Sequence, residues 1–174
     1  DEPDEVLMER MQKIFDALPA ADFGVYECPY PYKRLCSPQV VRFMAQSGRV
    51  AFMKDTCCDL AQIKEKLAAA RGSRLRVYNA NTATLLSSLR AGARGFSGVM
   101  ANFHAELYVR LIQMCDMGDP GAEALQAFLT AMSWSESRPY PITAKYHLQL
   151  MGHPVSLHTR SRPMSDWTET AADE

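Results

Sequence analysis

The feature that most constrains this chain is a repeated alternation of short apolar runs with amphipathic segments. The runs are Phe23-Gly24-Val25-Tyr26, Val50-Ala51-Phe52-Met53-Lys54, Leu75-Arg76-Val77-Tyr78 and Gly95-Phe96-Ser97-Gly98-Val99-Met100, and their starts lie 20 to 27 residues apart. Helical patterns fill the gaps. Ser37-Pro38 reads as N-cap and first helical residue of a helix to about Ser47, with Gly48 as its stop. Asp59 caps a second helix carrying Leu60, Ile63 and Leu67, which Gly72 ends. Leu85, Leu86 and Leu89 mark a third over about 82–91, stopped by Gly92. Strands and helices alternating at this interval predict βαβ units around a parallel sheet, and so an α/β fold.

The flanks read as helix. Leu7, Met11, Ile14/Phe15 and Leu18 predict an opening helix over 4–18, and another begins near His104. After Met117-Gly118-Asp119-Pro120-Gly121 the strands stop, and helices follow over about 121–133 and 141–151. The chain thus divides into βα units over 1–117, helices over 118–160 and a polar tail over 161–174 that is expected to fray.

Composition narrows the function classes. With 174 residues, 47% apolar and 22% charged, the chain supports an ordinary core and is not disordered. Lys plus Arg is 19 against 20 for Asp plus Glu, which leaves no electrostatic footprint for nucleic acid or an anionic membrane. No apolar run approaches the roughly 18–20 residues of a membrane span, and the acidic start is not a signal peptide. Five cysteines, with Cys57 and Cys58 adjacent, make a poor disulfide framework, so buried thiols in a reducing cytoplasm are expected. No histidine has zinc-finger spacing to a cysteine, and no metal is expected. An eight-stranded barrel rarely takes fewer than about 200 residues, so this chain is too short to be a whole one.

Ligands of parallel α/β proteins collect at the carboxyl ends of the strands. Here those ends are Tyr26-Glu27, Lys54-Asp55-Thr56, Tyr78-Asn79-Ala80-Asn81-Thr82 and Ser97 through Asn102. Lys54 directly follows an apolar strand, and desolvation there would lower a lysine pKa toward that of a nucleophilic amine. The plainer reading is a strand-end lysine paired with Asp55 or reaching solvent. Tyr26 holds the same place one unit earlier, as a proton relay or as a packed tyrosine. Glu27 reads as a solvated carboxylate.

These residues carry a resemblance. Tyr26-Glu27-Cys28-Pro29, followed 28 positions after Tyr26 by Lys54 in Phe52-Met53-Lys54-Asp55-Thr56, resembles the dihydrodipicolinate synthase/N-acetylneuraminate lyase family. The likeness continues through Tyr78-Asn79-Ala80-Asn81, Arg90 to Gly98, Ala101-Asn102-Phe103, Tyr140 to Lys145 and Leu150-Met151-Gly152. It implies the carboxyl-terminal half of a (β/α)8 barrel, strands five to eight, followed by a small helical region. It also implies a lyase or synthase in which Lys54 forms a Schiff base with pyruvate or a related 2-oxo acid. Tyr26 would shuttle protons, and Thr56, Asn79 and Phe96 would lie at the substrate. No cofactor is implied, and a homo-oligomer is.

Two residues depart from the pattern. Synthases of dihydrodipicolinate carry an arginine two residues after the motif proline, where this chain has Pro31, and Asn79 stands where the family often has glycine. Both favour aldol cleavage or dehydration of a 2-oxo sugar acid over dihydrodipicolinate synthesis. Nothing resembles the family's first four strands or its carboxylate-binding loop. The expectation is therefore an incomplete barrel, a fragment that is a poor catalyst alone and that works with the missing amino-terminal half. The alternative is a catalytically silent member acting in binding or assembly. A phosphate-binding domain is disfavoured because no glycine-rich phosphate motif is present. His104 reads as a helix-start histidine, Cys57-Cys58 as packing, and His158, Arg160 and Arg162 as a solvated loop. Trp134 and Trp167 show no pattern.

Overall fold

A computed structural model describes residues 2–167. Helix α1 (Asp4–Ala17) leads into strand β1 (Phe23–Tyr26). Three strand–helix pairs follow in the expected order, interleaved with α2 (Pro38–Ser47): β2 (Val50–Asp55), α3 (Leu60–Ala70), β3 (Arg76–Asn79), α4 (Leu85–Arg90), β4 (Gly95–Phe96) and α5 (Ala101–Met117). Helices α6 (Ala122–Met132) and α7 (Ile142–Leu150) are joined by a 3-10 turn over Ser133–Ser137. The strands form one parallel sheet in sequential order, with β1 and β4 at its edges.

Local chemistry explains the boundaries. Ser37 accepts the Val40 N–H and Asp59 accepts the Gln62 N–H, each closing a helix start that the sequence marks. Gly48 ends α2 with φ +65°, a conformation that costs glycine nothing. Helix α4 starts later than its apolar pattern suggests. Asn81 draws Thr84 into a turn by accepting its N–H at 3.0 Å, so residues 82–84 leave the helix. The fourth strand is shorter than the predicted run to Met100. Ser97 still donates to the Asn79 carbonyl at 2.8 Å, but at Gly98 the chain passes so close that a Cβ would collide with the Phe96 ring and the Ala80 carbonyl. Helix α5 begins ahead of His104 rather than at it, and breaks there (φ −144°, ψ 62°).

Side chains alternate across the sheet. Met53, Asp55, Val77 and Asn79 turn into the helical layer and are buried. Gly24, Tyr26, Phe52, Lys54, Arg76 and Tyr78 take the other parity, on a face against which no helix packs among the described residues. One core packs α1 and α2 against β1 to β3 around Phe15, Val41, Met44 and Met53. A second joins α4, α5 and α6 around Leu86, Met100, Leu111 and Leu129. Within the predicted tail, Met164–Asp166 forms a 3-10 turn and Trp167 packs on Tyr146 at 4.9 Å; positions 168–174 of that tail lie outside the described residues. Of the five thiols only Cys36 is buried, against the expectation that most would be core. Cys28, Cys57 and Cys58 sit on loops at strand ends, and Cys115 of α5 is half-buried against the second core.

Candidate active site

Register brings the strand ends together. Tyr26 pairs with Lys54 and Lys54 with Tyr78 across β1, β2 and β3, so all three side chains emerge on the open face. The Lys54 Nζ lies 4.6 Å from the centroid of the Tyr26 ring. Partial burial, then the neighbouring Cys28 thiol, raise the Tyr26 pKa above its ordinary value of 10.0.

Directly behind this pair, on the helical side, lies a buried ionic cluster. Lys66 of α3 donates to Glu27 and to Asp55, each at 2.6 Å, and all three side chains are essentially inaccessible. Glu27 also accepts the Cys36 N–H at 2.7 Å and the Thr56 N–H at 2.8 Å. Asp55 accepts the Cys57 N–H at 3.1 Å. Burial lowers the Lys66 pKa, but hydrogen bonds to Asp55 and Glu27 outweigh it and the net shift is upward. Glu27 is therefore not the solvated carboxylate its polarity suggested. Its N–H still donates to the Lys54 carbonyl at 3.2 Å, so strand alternation sends its side chain to the side opposite Tyr26, where a lysine from a later helix meets it.

The other predicted residues are placed differently from the pair. Thr56 is buried and its hydroxyl donates to the Glu27 carbonyl at 2.7 Å, tying the β2 end to the β1 end. The Asn79 amide points into the helical layer, donating to Thr84 at 2.9 Å and Ser88 at 3.0 Å. Phe96 shares that parity and stacks on Tyr108, with centroids 4.0 Å apart. The side chains of Thr56, Asn79 and Phe96 are thus each engaged by other groups of the protein rather than set beside the Lys54–Tyr26 pair. Arg34, the nearest arginine to Pro31 in sequence, is turned onto Asp4 at 3.1 Å and Glu2 at 3.5 Å.

The structure adds two residues that sequence reasoning missed. Burial raises the Glu136 pKa, while the charge of Lys54 acts on it in the opposite sense, so this carboxylate sits within electrostatic reach of the strand-end amine. Tyr140, whose hydroxyl accepts from Asn102 at 3.4 Å, lies within electrostatic reach of Tyr26 and adds slightly to the upward shift of its pKa. No local signal could have found them, because the carboxyl-terminal helices return to the strand ends only in three dimensions. Among the described residues no group of three His, Cys, Asp or Glu side chains could hold a metal ion, and no helix is long and apolar enough to cross a membrane.

Fold and site together define a parallel α/β protein whose strand ends present a lysine against a tyrosine on a face free of helices. The family model of the dihydrodipicolinate synthetase family matches residues 5–174. The curated 4-hydroxy-tetrahydrodipicolinate synthase of Acidithiobacillus ferrooxidans is 30% identical over 124 residues, which is 69% of this chain and 42% of that enzyme. A monomeric dihydrodipicolinate synthase variant superposes with a TM-score of 0.83 at 22% identity, over 98% of this chain and 58% of its own. A prophage protein of the dihydrodipicolinic acid synthase family from E. coli K12, solved in complex with pyruvate, gives 0.82 at 20% identity, over 99% and 59%. The chain belongs to the dihydrodipicolinate synthetase family. It spans less than half of the curated relative's length and about three fifths of the solved chains.

Proposed function

We propose that this chain carries the imine-forming part of a class I lyase site acting on pyruvate or a related 2-oxo acid. The observation that carries the reading is the Lys54 amine 4.6 Å from the Tyr26 ring centroid, at adjacent strand ends on the open face. The Lys54 nitrogen adds to the ketone carbon, and loss of water leaves a protonated imine. That cation accepts the electron pair released when a carbon–carbon or carbon–oxygen bond breaks, or holds it for condensation. Tyr26, whose ring faces the Lys54 amine, supplies and recovers the proton. Glu136 lies within electrostatic reach of the Lys54 amine, whose charge counters the upward shift that burial gives its carboxyl.

The four strands are, in this reading, strands five to eight of an eight-stranded barrel. Four further strands, from the same polypeptide or another, cover the open face and bring the loop that holds the substrate carboxylate. A 2-oxo sugar acid suits the site better than the dihydrodipicolinate reaction. Pro31 offers no guanidinium, and Arg34 is held by Asp4 and Glu2, so neither supplies a bidentate carboxylate clamp. The same absence supports the second reading, a silent member that binds or assembles.

Borohydride reduction in the presence of pyruvate, read by intact mass and peptide mapping, tests the proposal. The expected result is one adduct, on Lys54, lost in Lys54→Arg and formed about a hundredfold more slowly in Tyr26→Phe. No adduct across several 2-oxo acids on the folded chain supplied with a family relative's first four βα units would make the silent reading the correct one.

A further inference from the structure

Lys66 lies where helical spacing calls for an apolar side chain. It falls between Ile63 and Ala70 on the buried stripe of α3, and it is as deeply covered as they are. A well-packed apolar group in place of a buried ion cluster is often neutral or stabilising, so stability alone does not account for a lysine here.

The placement of its two arms does. Glu27 follows Tyr26 in the chain and Asp55 follows Lys54, and the Lys66 ammonium donates to both at 2.6 Å. Each carboxylate in turn holds main chain beyond the strand ends. Glu27 accepts from Cys36 and Thr56, and Asp55 from Cys57. The Glu27 N–H reaches the Lys54 carbonyl at 3.2 Å, and the Thr56 hydroxyl reaches the Glu27 carbonyl at 2.7 Å. Both strand ends are thereby tied to each other and to one turn of a helix whose start the Asp59 cap closes.

The opposite face offers the pair less support. Tyr26 is the last residue of a four-residue edge strand and is 48% exposed. A cation over a ring at an exposed site is a weak contact, so the 4.6 Å spacing of the Lys54 Nζ from the Tyr26 ring centroid does not maintain itself. Charge-assisted bonds to buried carboxylates are stronger, and they act on the pair from behind through its chain neighbours.

We propose that Lys66 is a positioning residue for the candidate site: bridging Glu27 and Asp55 from the helical side, it sets the spacing of the Tyr26 phenol and the Lys54 amine. This role rests on the reading of that pair as the imine-forming site. Lys66 itself touches no substrate.

A double-substitution cycle on borohydride trapping of pyruvate tests the role. The chain is supplied with a family relative's first four βα units, and rates are referred to the folded fraction read by circular dichroism. A displacement approaching 1 Å is costly at a reacting pair, and Lys66→Met is expected to slow the limiting trapping rate about tenfold. The pyruvate concentration at half-maximal rate stays within about twofold, because the substrate contacts are intact. In a Tyr26→Phe background there is no phenol to position, and Lys66→Met slows trapping less than about twofold further. A lysine that only supports the fold would slow both backgrounds alike. Asp55→Asn weakens the arm to the β2 end while Glu27 still pairs the ammonium, and it carries the same cycle should Lys66→Met not fold. Equal slowing in the two backgrounds, or unchanged trapping by a folded variant, overturns the proposal while the adduct on Lys54 stands. No adduct on the native chain overturns the imine reading, and the positioning role falls with it.

Discussion

Lys66 carries no motif, yet it holds the two loops that bear the candidate site. It bridges Glu27, next to Tyr26, and Asp55, next to Lys54, in a cluster with no access to water. Replacing it by methionine leaves two buried carboxylates facing each other, and a loss of about 3–5 kcal/mol at neutral pH is expected. The pH dependence has a definite sign. In the native chain the Lys66 pKa is raised, so its contribution is complete below the ordinary lysine value of 10.5 and is lost as pH rises through the folded value. In Lys66→Met the orphaned carboxyls favour the protonated form, so their folded pKa values rise and the variant recovers stability as pH falls. Urea unfolding near pH 5 and pH 8 measures this, and a deficit that is equal at both values argues against an ionised cluster. Thiols supply a second prediction. Burial raises the Cys36 pKa to about 12 and that of Cys57 to about 11, whereas Cys28 and Cys58 are exposed. Alkylation by iodoacetamide should therefore reach Cys28 and Cys58 first and Cys36 last, as peptide mapping over time would record.

Elements are joined here by single polar side chains placed at helix ends. Ser37 caps α2 through the Val40 N–H and also donates to Asp4 at the start of α1. Ser37→Ala should cost about 1–2 kcal/mol, against about 1 kcal/mol for Asp59→Ala, which loses a cap alone. Equal costs in denaturant unfolding would mean that the Asp4 contact contributes nothing. Gln126 plays the larger part. From inside α6 it accepts the Leu86 N–H at 2.8 Å and donates to the Thr82 carbonyl at 2.8 Å. It therefore closes the first turn of α4 from another helix. Gln126→Leu strands both backbone groups, and a loss of about 2–4 kcal/mol is expected in the same measurement. Sequence periodicity finds α4 and α6 as helices, but not this stitch, because the spacing between Thr82, Leu86 and Gln126 has no local period.

Among the described residues the sheet carries helices on one side only. Parallel sheets are normally covered on both faces, and here Tyr26, Phe52, Lys54 and Tyr78 lie on the side without helices, with β1 and β4 as open edges. Under the half-barrel reading the isolated chain should bind the dye ANS and scatter light increasingly with concentration. Addition of a family relative's first four βα units should suppress both. A monodisperse chain that ignores ANS would argue that this face is finished as it stands.

What was legible in the sequence follows from short-range physics. Helix starts at Ser37 and Asp59, the stop at Gly48, the order of strands and helices, and the Tyr26-to-Lys54 spacing all depend on residues near one another in the chain. Parity along a strand was legible in the same way, since Met53 and Lys54 must face opposite sides. Which side the helices would cover was not, and that choice turned Asn79 and Phe96 inward and left Lys54 in the open. Glu27 with Lys66, Gln126 with Leu86 and Glu136 near Lys54 are likewise tertiary facts. Each joins groups dozens of residues apart, whose meeting depends on how whole elements pack, and local propensity carries no record of that.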